Sequence, residues 1–213
     1  MRTKLSAAAI IGVGIIGLSA CGGSVELDQA QTAEALLSAE EFPLDGFTRG
    51  EVEQSSGDED GGSLADLVQG EDVPEKCLTA LEATNFDDSN FAAQSNVEFT
   101  GGDASTQIPV AVDINVATLS GDDSPLTALA AVSKECDTLS MDDEGASMTM
   151  TFSPLEELEG TKMSIKVAEI DLEAVVGGEA SGKMMVAAFS TGVDEADVVK
   201  VIEAQMTKVK DAG

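Results

Sequence analysis

The chain has 213 residues, with 40 acidic side chains against 11 basic ones and a formal charge of −29 at neutral pH. It contains no His, Trp or Tyr, which excludes Ser-His-Asp and Cys-His catalysis and His-based zinc sites. The charge repels nucleic acid and anionic lipid head groups, so neither is expected as a partner.

Arg2 and Lys4 form a short positive start, and Leu5 to Gly17 is an apolar run of signal-peptide type. The run is shorter than the roughly 20 residues that a membrane-crossing helix needs. Leu18-Ser19-Ala20-Cys21 follows, then two glycines. This pattern resembles the bacterial lipobox. The resemblance implies a diacylglyceryl thioether on Cys21, cleavage before Cys21 and acylation of the new amino terminus. On that reading residues 1–20 are a lipoprotein signal peptide. Residues 21–32 are the lipidated N-terminus and a polar tether, and residues 33–213 are one extracytoplasmic domain. The membrane is then a partner through Cys21. The plainer alternatives are an ordinary signal peptide with a chance cysteine, or a short membrane anchor.

Ser38-Ala39-Glu40-Glu41 fits a capping box opening a short helix, which Pro43 ends. Phe47 to Gln54 reads as a first strand, Ser55 to Gly62 as an acidic, glycine-rich loop, and Ser63 to Gln69 as a helical turn. Pro74 suits the first position of a helix reaching about Ala83, with Cys77, Leu78 and Leu81 on one face. Phe86 to Asn90 is a turn, and Ala92 to Thr100 a strand. Ile108, Val110, Val112, Ile114 and Val116 alternate with smaller or polar residues and give the clearest strand signal. Pro109 places the start of this strand at an edge or bulge.

Ser124 caps and Pro125 opens a second helix carrying Leu126, Leu129, Val132 and Cys136 on one stripe. Met148, Met150 and Phe152 alternate in a strand, and Met163, Ile165 and Val167 in another. Lys183 to Thr191 has apolar residues on both faces and should lie centrally. A last helix starts near Asp194, with Val193 and Val198 as a hydrophobic staple and Val198, Ile202, Met206 and Val209 facing the core. The order predicts an α+β fold: an antiparallel sheet of about five to six strands with helices packed mainly on one face.

Cys77 and Cys136 are the other two cysteines. Outside the membrane an even pair favours a disulfide; buried free thiols or a redox pair are the alternatives. Asp58-Glu59-Asp60-Gly61 looks in part like a calcium loop. Ser56 stands at its first ligand position and Leu67 where the bidentate glutamate belongs, so a solvated acidic loop is the better reading. Asp87-Asp88, Asp122-Asp123 and Asp142-Asp143-Glu144 fall in predicted turns, where aspartate is a common turn former. Met148, Met150, Met163 and Met206 read as core filler, with a Met-lined pocket for an apolar molecule as the alternative. No metal or cofactor signature and no catalytic set is present. A carboxylate-only hydrolase would need two acids in one cleft.

Leu36-Leu37-Ser38-Ala39-Glu40-Glu41, Cys77 on one helix, Cys136 closing a later one, and the ending MMVAAFSTGVDEADVVKVIEAQM resemble actinobacterial lipoproteins. They are similar to the PknH-like extracellular sensor domain and its lipoprotein relatives. The resemblance spans most of residues 33–210. It implies an antiparallel sheet flanked by helices, a disulfide matching Cys77–Cys136, and a cleft for an unidentified ligand. The family's second cysteine pair and its Trp and Tyr residues are missing here, and no kinase segment is present. The expected function is a membrane-anchored, non-catalytic binding or sensor-like lipoprotein of the cell envelope. Its partner would be a small apolar ligand or an envelope protein. A lipid or glycolipid carrier with an apolar cavity is the alternative.

Overall fold

The computed structural model describes residues 26–54, 64–68, 73–84, 88–102, 110–143 and 146–212. Among these, eight strands form one sheet: β1 (Thr48–Gln54), β2 (Phe91–Gly101), β3 (Val110–Leu119), β4 (Thr138–Asp143), β5 (Ala146–Pro154), β6 (Glu159–Val167), β7 (Ile170–Ser181) and β8 (Met184–Thr191). Every neighbouring pair is antiparallel, in the order β1-β2-β3-β8-β7-β6-β5-β4. Four α-helices accompany it: α1 (Gln29–Glu34), α2 (Glu75–Glu82), α3 (Pro125–Glu135) and α4 (Glu195–Ala212). The antiparallel α+β architecture is as expected, but the strand count is eight rather than five to six.

The two extra strands, β4 and β7, are the ones whose sequences argue against strands. β7 contains Gly177-Gly178, which reads as a turn. In the fold, a Cβ on Gly178 would come within 2.0 Å of the Val186 carbonyl oxygen, so the close approach of β8 requires glycine there. β4 is a six-residue edge strand, Thr138 to Asp143, ending in two aspartates.

The helices also differ from expectation: they cover both faces of the sheet. Val112, Ile114 and Val116 of β3 point one way and pack with Val186 and Ala188 of β8 against α4 and the chain around Leu36–Leu37. Ala117 and Leu119 of β3 point the other way and pack with Met185 of β8 against Leu126 and Leu129 of α3. Strands apolar on both sides need cover on both sides. β8 lies between β3 and β7, the central place its sequence indicated. A separate core under α2 and α3 contains Leu139, Met141, Met150, Phe152 and Met163. Met150, Met163 and Met206 are buried and Met148 is packed against the core, so these methionines fill space between helices and sheet.

Residues 27–32, expected to be tether, pack against the sheet instead. Leu27 is buried, its N–H donates to Thr118 Oγ1 (3.2 Å), and the Thr118 hydroxyl donates back to the Leu27 carbonyl (2.7 Å). α1 opens on a capping box. Asp28 accepts from the N–H groups of Ala30 and Gln31, and the Gln31 side chain accepts from Asp28 N–H. The helix has no apolar stripe to announce it. Its buried side chain is Thr32, whose hydroxyl meets Ser95 Oγ at 2.9 Å. The Ser38 box forms only a single turn. Ser38 N–H donates to Glu41 Oε2 (2.8 Å) and Phe42 N–H to the Ser38 carbonyl (3.2 Å), and no helix follows before Pro43.

Cys77 and Cys136 are joined by a disulfide, with Cα atoms 4.8 Å apart. Cys77 is on α2 as expected. Cys136 stands one residue beyond α3, in extended backbone, where its N–H still donates to the Val132 carbonyl (2.8 Å). α2 packs chiefly on α3 and a 3-10 turn at Leu64–Val68, and α3 in turn packs on β5, β6 and β7. The bond therefore fastens an outer helix to an inner one.

Candidate ligand-binding cleft

α3 packs chiefly on β5, β6 and β7. On that side of the sheet the register sets a line of residues across four strands. Glu98 of β2 pairs with Asp113 of β3, Asp113 with Phe189 of β8, and Phe189 with Val176 of β7. Side chains directly opposite across antiparallel strands stand about 4.5–5.5 Å apart at Cβ. The line therefore runs from acidic to aromatic to aliphatic within a few side-chain widths.

Where this line meets α3, the surface folds into a cleft of about 190 Å³. Leu126 and Leu129 of α3 form one wall and Asp113 and Asn115 of β3 the other, with Met185 and Ala187 of β8 at the floor. Phe189 stands at the rim and remains 47% exposed, unusual for a large aromatic side chain. α3 is placed firmly, since Ser124 caps it through Leu126 N–H (3.3 Å) and Pro125 occupies its first turn.

Two polar groups in the cleft are incompletely satisfied. Asn115 Oδ1 is buried and has no hydrogen-bond partner among the described residues. An acceptor in that state is costly, of the order of 1–3 kcal/mol. Asp113 accepts from Asn96 Nδ2 at 3.3 Å. Burial pushes its carboxyl above the ordinary range; the Asn96 hydrogen bond opposes this, and the charges of Glu98 and Glu53 add to it.

The residues singled out in the sequence lie elsewhere. Cys21 and the Asp58-Glu59-Asp60 loop are outside the described residues. Asp122 and Asp123 are exposed in a turn. No group of three or more His, Cys, Asp or Glu side chains able to hold a metal occurs among the described residues. Cys77 and Cys136 are buried under α2 and α3, apart from the cleft. The cleft's own residues went unmarked, although a signal was there. In β3 the core positions Val112, Ile114 and Val116 leave Asp113 and Asn115 together on the other face. In β8 the same parity puts Phe189 with them.

No known protein family matches this chain, and neither does any curated protein. Among solved structures, the fold is similar to the crystal structure of the extracellular domain of PknH from Mycobacterium tuberculosis. The TM-score is 0.55 at 12% identity, over 89% of this chain and 100% of that one. At that identity the likeness is one of fold: the chain shares the sheet-and-helix architecture of an extracellular domain.

Proposed function

We propose that this chain is an extracytoplasmic lipoprotein, held at the membrane by lipid on Cys21, whose α+β domain is a non-catalytic, sensor-like binding module for a small ligand. The observation that carries the reading is the buried Asn115 Oδ1, without a partner among the described residues, in a cleft that sets Asp113 against Leu126, Leu129 and Met185. Small-molecule sites combine apolar walls with a few fixed polar groups in this way. The lipobox-like Leu18-Ser19-Ala20-Cys21, the disulfide and the acidic composition support an extracytoplasmic address. Among the described residues no helix is long and apolar enough to cross a membrane. The fold likeness to the extracellular domain of PknH supports the same address.

The lipid-carrier alternative calls for a larger cavity. This cleft, at about 190 Å³, is below the roughly 300–1,000 Å³ typical of pockets for drug-sized ligands. A carboxylate-only hydrolase fits poorly as well. Asp113 and Glu98 are cross-strand neighbours on one side of the cleft, and the opposite wall is leucine. Two acids working on a glycosidic bond must flank it.

The test is a small-fragment screen on the isotope-labelled intact chain. Binding should shift the resonances of Asn115, Leu129 and Phe189 together. Fragments that bind only elsewhere, or none that bind, would refute the reading.

A further inference from the structure

Resting on the reading of the cleft as a small-molecule site, we propose that it selects a small organic cation. The ligand would be an amine with an apolar body, its ammonium held between the Asp113 carboxylate and the Phe189 ring. The first argument is placement. Asp113 and Phe189 are direct partners across β3 and β8. A carboxylate beside an exposed aromatic face offers an ammonium both ion pairing and cation–π attraction.

The second argument is the hydrogen-bonding inventory. Asn115 Oδ1 is an acceptor without a donor. Among the described residues the Asp113 carboxylate takes one hydrogen bond, from Asn96, and has lone pairs to spare. The missing partners are donors, and an ammonium brings three. The strands that carry the cleft's sheet face, β2, β3, β7 and β8, contain no Lys or Arg to compete for it. Arg49 of β1 reaches the other face, donating to the Leu37 carbonyl at 2.7 Å. The charge of −29 adds a field that attracts cations and rejects anions.

The third argument is the wall. Val176, Leu126 and Leu129 continue from Phe189 under α3. A ligand whose ammonium sits at Asp113 therefore has its body directed onto apolar surface.

A pH response follows. The ionisable groups facing Asp113 are Glu98 on β2 and Glu53 on β1. The cleft-facing positions of β7 and β8 carry none, and α3 carries Lys134 and Glu135 at its far end. Binding a cation favours the ionised carboxylate. Affinity should therefore be full above the raised range in which Asp113 titrates and fall as pH drops through it.

The experiment titrates the intact labelled chain with benzylamine, benzyl alcohol and benzoate, three probes sharing one ring. We expect benzylamine to bind at Asn115 and Phe189 at least tenfold more tightly than the other two. Asp113→Asn should erase the preference for the amine over the alcohol. As a check independent of that variant, lowering the pH should weaken benzylamine binding to wild type and leave benzyl alcohol unaffected. Equal binding of amine and alcohol in the cleft would overturn the cation inference and leave the small-molecule site standing. If none of the three perturbs the cleft, both fail.

Discussion

Removing the Cys77–Cys136 bond, by Cys77→Ala with Cys136→Ala, should weaken the fold in a defined place. The two cysteines are 59 residues apart in sequence. For a closed loop of this length the chain-entropy relation gives about 4 kcal/mol at 25 °C. For a chain of this size, 1 kcal/mol moves the melting temperature by roughly 2–4 °C, so a drop of about 8–16 °C is expected. The loss should not be uniform. α2 is eight residues long and packs mainly on α3, and so short a helix has little stability of its own. The start of α3 is held to the sheet by Leu126 and Leu129 against Ala117, Leu119 and Met185, independently of the bond. Hydrogen exchange followed by mass spectrometry should thus show Glu75–Glu82 opening first, while cleft ligands still bind. A melting temperature within about 2 °C of wild type, or unchanged exchange in α2, would refute the reasoning.

Three further outcomes follow, two from the structure and one from the proposed lipid anchor. Gln205 is fully buried on α4, donating to the Ala35 carbonyl (2.6 Å) and accepting from Leu37 N–H (3.0 Å). Gln205→Leu strands both groups and should cost about 2–4 kcal/mol in urea unfolding; a loss under 1 kcal/mol would contradict this. Glu41 is held down to about 2 by its hydrogen bonds with Lys208 and Ser38, against an ordinary value of 4.5. A lowered carboxyl stabilises the fold above its unfolded value and loses that contribution as pH falls. Glu41→Gln should therefore flatten the stability profile between pH 4.5 and 2, and an unaltered profile would count against the pair. Cys21→Ala should abolish acylation and leave unprocessed precursor or a released form. Processed protein still partitioning into detergent would rule out the lipid anchor.

The sequence was most readable where side-chain periodicity and burial agree. Val112, Ile114 and Val116 marked β3, and Val198, Ile202, Met206 and Val209 marked α4, because each set is the buried face of its element. Local chemistry misled where tertiary contacts took over. Gly177-Gly178 signals a turn to neighbours in sequence, yet serves close strand packing in β7. The polar stretch from Leu27 to Thr32 looks like a tether because its anchors are hydrogen bonds to Thr118, Gln94 and Ser95, all far along the chain. The cleft was hidden for a related reason. Its chemistry comes from register, and only strand pairing brings Asp113 beside Phe189 in the cleft that Leu126 and Leu129 of α3 also line. Helices on both faces were implied by the two-sided apolar character of β3 and β8, where Ala117, Leu119 and Met185 face one way and Val112, Ile114, Val116 and Val186 the other, which a one-face arrangement cannot cover.

The central claim is that this cleft is where the protein meets its ligand. Native mass spectrometry of the intact protein isolated from its own host, wild type beside Phe189→Ala, tests it most directly. Phe189 is half exposed at the rim, so its removal leaves the core intact. The account predicts a bound small molecule on wild type that is lost or strongly depleted on Phe189→Ala. Wild-type protein carrying nothing, or both proteins carrying the same molecule to the same extent, would contradict it.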